Sequence, residues 1–256
     1  MANSGNRILA AAGVVAAGLA VAQAGPGITG LGPVRRRLFP RLAGEGDPGH
    51  VALTFDDGPD PAATPGFAEL LAGRRVRATF FLLGEMVQRA PGLAAELAAA
   101  GHEIGVHGWE HRYLPQRGPR AAVDDIRRAT ELIAGATGRA PRYFRPPYGV
   151  LSGPALVASR ALGLTPVLWG AWGREWVPGA TAESVYATLA GRLHGGVTVL
   201  LHDSDCTSPP GSAGAALAAL PMLLDACAEA GLAVGPVAEH GIGSGPAAVC
   251  AALTRR

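Results

Sequence analysis

The chain has 256 residues, 48% of them hydrophobic and 16% charged, with a formal net charge of +2. It is long enough to bury a full core, too apolar for a disordered chain, and too nearly neutral for a nucleic-acid partner. All 22 basic residues are arginine, which excludes a Schiff-base lysine, a pyridoxal-phosphate site and a Walker A phosphate loop.

The first element is an unbroken small and apolar run from Ile8 to Ala24, interrupted only by Gln23 and preceded by Arg7. A basic start, an apolar stretch and Ala22-Gln23-Ala24 as an A-x-A cleavage site fit a secretory signal. The length also approaches that of an uncleaved membrane anchor. An Ala-rich soluble helix is the plainer alternative, weakened by the lack of a polar face. Arg35, Arg36 and Arg37 lie downstream, which under the positive-inside rule argues against export. Gly25-Pro26-Gly27-Ile28-Thr29-Gly30 matches the dinucleotide-binding spacing G-x-G-x-x-G. That motif needs a strand before it and a helix after it. Here an Ala-rich run precedes it, and Gly32, Pro33 and Pro40 break up the residues after it, so the segment reads as a linker.

From His50 onward short β-prone runs alternate with helical patterns. The runs are Val51–Phe55, Thr79–Leu83, Glu103–Val106, Tyr143–Phe144, Thr165–Leu168, Val197–Leu201 and Leu232–Val234. Pro91 at a first-turn position opens a helix through Leu93–Ala100, and Gly101 closes it. Val123, Ile126, Ala129 and Ile133 share one face of a helix over Val123–Ala136. Ala215–Ala230 is a third helix, in which Pro221 marks either a kink or the true first turn. Such alternation implies βαβ units, a mostly parallel sheet and, with about seven repeats, a barrel-like closure.

Residues with chemical potential fall just after these runs: Asp56 and Asp57, then His107 and His111, Arg145, Trp169 and His202. In β/α barrels the C-terminal strand ends converge on one mouth, where sites are built. An H-x₃-H spacing is common and Asp-Asp-Gly-Pro is also a turn. Brought to one mouth, however, two imidazoles and either Asp56 or Asp57 make a His₂-carboxylate set with an open position for water, as in catalytic zinc sites. The second aspartate is then free to act as a base, oriented and kept ionised by the guanidinium of Arg145. His202 ends the most hydrophobic run and suits a general acid; a satisfied core histidine is its alternative reading. His50, His102, His194 and His240 lie away from the strand ends and read as bystanders. No serine occupies a G-x-S-x-G elbow, and Cys206, Cys227 and Cys250 are too scattered for a disulfide framework or zinc knuckle.

The run Thr54-Phe55-Asp56-Asp57-Gly58-Pro59 closely resembles the first motif of the polysaccharide deacetylases with the NodB-homology domain, carbohydrate esterase family 4. His107-Gly108-Trp109-Glu110-His111 is similar to the family's histidine pair and Arg145-Pro146-Pro147-Tyr148-Gly149 to its third motif. The stretch Trp169 through Trp176 resembles its fourth, and Leu200-Leu201-His202-Asp203 its last. The resemblance implies a distorted (β/α) barrel of about seven parallel strands. It also implies removal of N-acetyl groups from an amino-sugar polysaccharide of the peptidoglycan or chitin type. A deacetylase or deformylase of a small or lipid-linked amide, and an inactive glycan-binding relative, are the alternatives.

By the same resemblance Asp57, His107 and His111 hold a divalent metal, most naturally Zn²⁺, with Co²⁺, Ni²⁺ and Mn²⁺ as alternatives. Asp56 is the base, Arg145 orients it, the Tyr148 N–H helps hold the oxyanion, and His202 is the acid. Pro147, Trp176 and Leu200 border the substrate. Residues 1–47 are then a signal peptide or anchor plus linker, 48–240 the catalytic domain and 241–256 a tail. The protein is expected to be secreted or membrane-anchored at the cell envelope, acting on an N-acetylated glycan, with no nucleic-acid partner. Two departures stand out. Gly108 replaces the Ser or Thr usual after the first motif histidine. Trp172 stands where the family commonly has the Asp that partners the acid histidine; Asp203 or Glu175 is left to substitute, and Asp203-Ser204-Asp205-Cys206 is a candidate substrate contact.

Overall fold

The computed structural model of the chain describes residues 13, 15 and 17–242. Cys250, most of the proposed tail and the start of the apolar N-terminal run lie outside the described residues. Eight strands form one parallel sheet: β1 (His50–Asp56), β2 (Thr79–Leu82), β3 (Glu103–Val106), β4 (Tyr143–Phe144), β5 (Thr165–Pro166), β6 (Ala171–Trp172), β7 (Thr198–His202) and β8 (Ala233–Gly235). Seven follow the order β5-β4-β3-β2-β1-β7-β6, and β8 pairs with the first half of β1, His50–Ala52. The sheet curls into a half-barrel, the distorted (β/α) architecture expected of the sequence. Seven of the strands are the expected ones; the two-residue β6 is an addition.

Every residue of β1 is buried, the mark of a strand covered on both faces. Side chains alternate between those faces. Val51, Leu53 and Phe55 of β1, Phe80 and Leu82 of β2, Ile104 and Val106 of β3, and Val199 and Leu201 of β7 all join the outer core under the helices. The intervening residues therefore point into the barrel. Ala52, Phe81 and Tyr143 fill its lower part, and the same alternation sends Thr54, Asp56, Leu200 and His202 inward above them. Gly105 is needed here, because a Cβ on it would come within 2.5 Å of the Phe81 ring.

The covering helices are α1 (Gly32–Leu38), α2 (Thr64–Arg74), α3 (Gly84–Arg89), α4 (Pro91–Ala99), α5 (Pro119–Thr137), α6 (Gly153–Ala161), α7 (Ala182–Ala190) and α8 (Ser212–Glu229). The sequence signals α4, α5 and α8 but not α2, α3, α6 or α7, which are short or spread their apolar residues around the axis. Helix α8 starts nine residues before Pro221, so that proline is not its first turn. Long and apolar enough to cross a membrane by composition, α8 instead buries Leu220, Leu223, Leu224 and Cys227 in the core.

Strands β5 and β6 share no ladder among the described residues, so the barrel has an open seam between them. Residues before β1 close it. Leu168 N–H donates to Leu42 O at 2.8 Å, Thr198 Oγ1 to Gly44 O at 2.7 Å and Arg35 Nη2 to Trp169 O at 2.8 Å. The Gly25–Gly30 stretch, expected as a linker, is a 3₁₀ helix whose Gly27 and Gly30 lie against Val150. Lacking a preceding strand, it has no dinucleotide-binding geometry.

Candidate metal and active site

Asp57 follows the last residue of β1 with a left-handed backbone, φ +77°, a conformation uncommon for a residue with a side chain and found where function demands it. Its Oδ1 lies 3.4 Å from His107 Nε2 and 3.8 Å from His111 Nε2. One donor atom from each of the three lies within 4.8 Å of the others. His107 Nδ1 is 2.8 Å from Arg145 O. Donating to that carbonyl fixes the tautomer and turns the Nε2 lone pair toward Asp57.

Asp57 Oδ1 is buried with no hydrogen-bond partner among the described residues, a costly arrangement unless a cation sits there. Burial pushes the Asp57 carboxyl up, but the close approach of His107 and the surrounding imidazoles holds it well below the usual carboxylate range. Burial and then the charge of His107 push His111 down to about 4. Burial opposes the charge on His107, yet the Asp56 and Asp57 carboxylates raise it. An ionised Asp57 and a neutral His111 are ligand-ready forms, and the carboxylates that raise His107 are themselves the groups a cation would neutralise, so the donor set fits a divalent cation.

Asp56 points inward beside the Asp57, His107 and His111 cluster. Arg145 Nη1 donates to Asp56 Oδ1 at 2.8 Å and to Thr54 Oγ1 at 2.7 Å, while Nε and Nη2 donate to Val167 O and Leu168 O, each at 3.2 Å. The guanidinium is fully buried, stacked 4.1 Å from the Phe81 ring centroid and 5.5 Å from that of Trp169. Burial pulls its pKa down and the Asp56 charge opposes that. One side chain thus holds the Asp56 carboxylate and satisfies the orphan carbonyls of the open seam.

His202 ends β7 facing the same space. Its Nδ1 lies 2.8 Å from Glu175 Oε1, which also accepts the His202 backbone N–H at 2.7 Å. Burial alone would lower this imidazole, but the adjacent Glu175 carboxylate raises it to about 9. Glu175, not Asp203, is therefore the carboxylate partner left open in the sequence. Trp172 lies at the expected Asp position, paired with Leu200 across the sheet, its ring 4.0 Å under the Arg192 guanidinium. Asp203 turns away to accept from Thr64 Oγ1 at 2.5 Å beneath Gly58, where burial raises it to about 7.

Asp56, His107, His111 and His202 line a cavity of about 350 Å³ together with Tyr148, Trp169, Trp176 and Leu200. Tyr148 sits in a left-handed turn with its ring exposed over His111, centroids 4.4 Å apart. Trp176 stands edge-on to His202 at 5.4 Å. Pro147 is buried inside the turn and does not line the cavity. Nor does the segment after His202 contribute as expected: Asp203 and Ser204 are buried, and the wall is Thr207, Ser208 and Pro209. The four bystander histidines stay outside this cavity, and His50 and His240 pair through Nδ1 atoms 2.8 Å apart near the start of β1.

Two contributors carried no sequence signal. Thr207 reaches Asp57 from a loop 150 residues away. Asp125, on the inner face of α5, accepts the Trp109 N–H at 2.8 Å and Arg117 Nη1 at 3.0 Å. It holds the loop between the two histidines.

The chain matches the family model described as polysaccharide deacetylase over residues 43–167. A chitooligosaccharide deacetylase of Bradyrhizobium sp. (strain ANU 289) is 37% identical over 163 residues, 63% of this chain and 72% of that protein. A peptidoglycan-N-acetylglucosamine deacetylase of Listeria monocytogenes (serotype 1/2a) is 33% identical over 153 residues, 60% of this chain and 32% of that longer protein. Among solved structures, a family 4 carbohydrate esterase from Streptomyces lividans in complex with acetate has a TM-score of 0.65. It is 31% identical, with 74% of this chain and 93% of that one covered.

Proposed function

The chain belongs to the polysaccharide deacetylase family, and on that premise we propose that it is a metal-dependent amide hydrolase removing N-acetyl groups from an amino-sugar polysaccharide of the peptidoglycan or chitin type. One observation carries the reading. The unpartnered Asp57 Oδ1 faces both histidine Nε2 atoms, with an arginine-held carboxylate and a carboxylate-held imidazole bordering the same cavity.

Asp57, His107 and His111 would hold the ion, which when bound makes water acidic enough to serve as a nucleophile near neutral pH and polarises a carbonyl. Asp56 is the base. Its Oδ1 is occupied by Arg145, which leaves Oδ2, 3.7 Å from His107 Nε2, to take the proton from the attacking water. The Tyr148 N–H would share the oxyanion load; one such donor is typically worth about 10²–10³ in rate. His202, kept protonated by Glu175, gives its proton to the departing amine, so that amide plus water becomes amine plus acetate. Trp176 and Leu200 supply an apolar wall suited to the acetyl methyl group.

Residues near the N-terminus bear on export. Gln23 Nε2 donates to Pro115 O at 3.3 Å and to Arg117 O at 2.8 Å. A cut after Ala24 removes those contacts but spares the seam contacts of Arg35, Leu42 and Gly44. The proposal is therefore an exported or membrane-anchored enzyme whose residues from Gly25 onward belong to the folded body; sequencing the N-terminus of the cell-derived protein tests it.

Acetate release tests the function, using metal-stripped protein with and without added Zn²⁺ or Co²⁺ on chitin oligomers, peptidoglycan and acetylated monosaccharides. Metal-dependent release from the polymers is expected. Release from none of them by metal-loaded protein would overturn the assignment, and release from the monosaccharides alone would replace it by a small-amide deacetylase.

A further inference from the structure

We propose that Thr207 is a positioning residue that presents Asp57 to the cation through a single oxygen, an inference that rests on the proposed metal site. The two oxygens of Asp57 have different surroundings. Oδ1 faces His107 Nε2 and His111 Nε2 and has no hydrogen-bond partner. Oδ2 accepts the hydroxyl of Thr207. A carboxylate free to rotate about its Cβ–Cγ bond can offer either oxygen, or both, to an ion. A hydrogen bond to one removes that freedom and fixes which lone pairs face the histidines.

Thr207 is itself held in place by its neighbours. Ser204 Oγ donates to Asp60 Oδ2 at 3.0 Å and accepts the Cys206 N–H at 3.1 Å. Cys206 Sγ donates to Asp57 O at 3.6 Å. The Asp205 carboxylate accepts the N–H groups of Gly211 at 2.6 Å and Ala213 at 2.7 Å, where α8 begins. Ser204, Cys206 and Thr207 thus tie the loop after β7 to the loop after β1, and Asp205 ties it to the start of α8. The hydroxyl reaches Asp57 from a fixed base.

Two of the three ligand side chains have an orienting partner: His107 through Arg145 O and Asp57 through Thr207. His111 Nδ1 is buried without one. With only two such contacts, each carries a larger share of the site's preorganisation, and losing one typically costs 10–100-fold in metal affinity.

The test is zinc affinity of the intact, metal-stripped chain, measured by competition with a chromophoric chelator, with the unfolding temperature of the metal-free protein recorded alongside. Thr207→Val keeps the shape and removes the hydroxyl; it should bind zinc about 10–100-fold more weakly at a nearly unchanged metal-free unfolding temperature. Thr207→Ser, which restores the hydroxyl, should recover most of the affinity. Should the valine variant fail to fold, Thr207→Ala makes the same comparison by trimming an exposed side chain. Equal, tight zinc binding by the parent and the hydroxyl-free variants overturns this inference alone. A parent chain that binds no zinc overturns the metal site, and this inference with it.

Discussion

Replacing Asp57 by alanine deletes the carboxylate oxygen that faces both imidazoles, so Asp57→Ala should lose zinc binding in a direct titration. Asp56→Asn is expected to behave differently. It keeps the shape beside Arg145 and leaves Asp57, His107 and His111 in place, so metal should bind normally while turnover falls to a residual level. An Asp56→Asn protein with parental activity would assign the base to another group. The acid is tested through Glu175, whose charge holds His202 protonated up to about 9. Glu175→Gln lowers that pKa, and because the general acid must carry its proton, the basic limb of the pH–rate profile should move to lower pH. Trp172→Asp should leave that limb where it is, since Glu175 Oε1 already occupies His202 Nδ1.

Among the elements, the loop after β3 depends most on a distant partner. Gly108 has φ +93°, and a Cβ built on it would lie 2.7 Å from Asp125 Oδ2. Gly108→Ser, which brings back the residue type usual in the family, should therefore destabilise this chain by about 1 kcal/mol or more, read from urea unfolding. Asp125→Ala leaves the Trp109 N–H without its acceptor, costing about 1–3 kcal/mol. The two losses should be less than additive in the double variant, because the alanine removes the atom the serine strikes. These elements also show where sequence patterns inform and where they do not. The run of β1 was legible because a strand covered on both faces is continuously apolar, and the stripe of α5 because one-sided burial imposes a helical period. Helices α2, α6 and α7 and the two-residue β6 were not, since short elements gain their stability from neighbours rather than from their own pattern.

For the molecule as a whole, acid should weaken the join between the start of β1 and the segment after β8. His240 Nε2 faces Gly196 O at 2.9 Å, and its Nδ1 faces His50 Nδ1. Burial first, then the neighbouring His50, pushes His240 down to about 4, and burial lowers His50 as well. Both are neutral when folded, while the unfolded chain takes up protons near pH 6.5. Their contribution is complete above that pH and lost as it falls toward 4. The stability cost of His240→Asn should therefore be smaller at pH 5 than at pH 7.5 in paired urea titrations. A cost that grows on acidification would contradict the assignment of a neutral pair. Sequence alone determined the alternating architecture and the set of groups at the strand ends, because parallel strands with period-2 side chains must deliver those residues to one mouth. Only the tertiary structure decided that Glu175 rather than Asp203 partners His202, that Asp125 holds the loop between the two histidines and Thr207 reaches Asp57, and that residues before β1 seal the barrel. Each of those is a contact between segments far apart in the chain, and no local spacing encodes which distant side chain will arrive within hydrogen-bond reach.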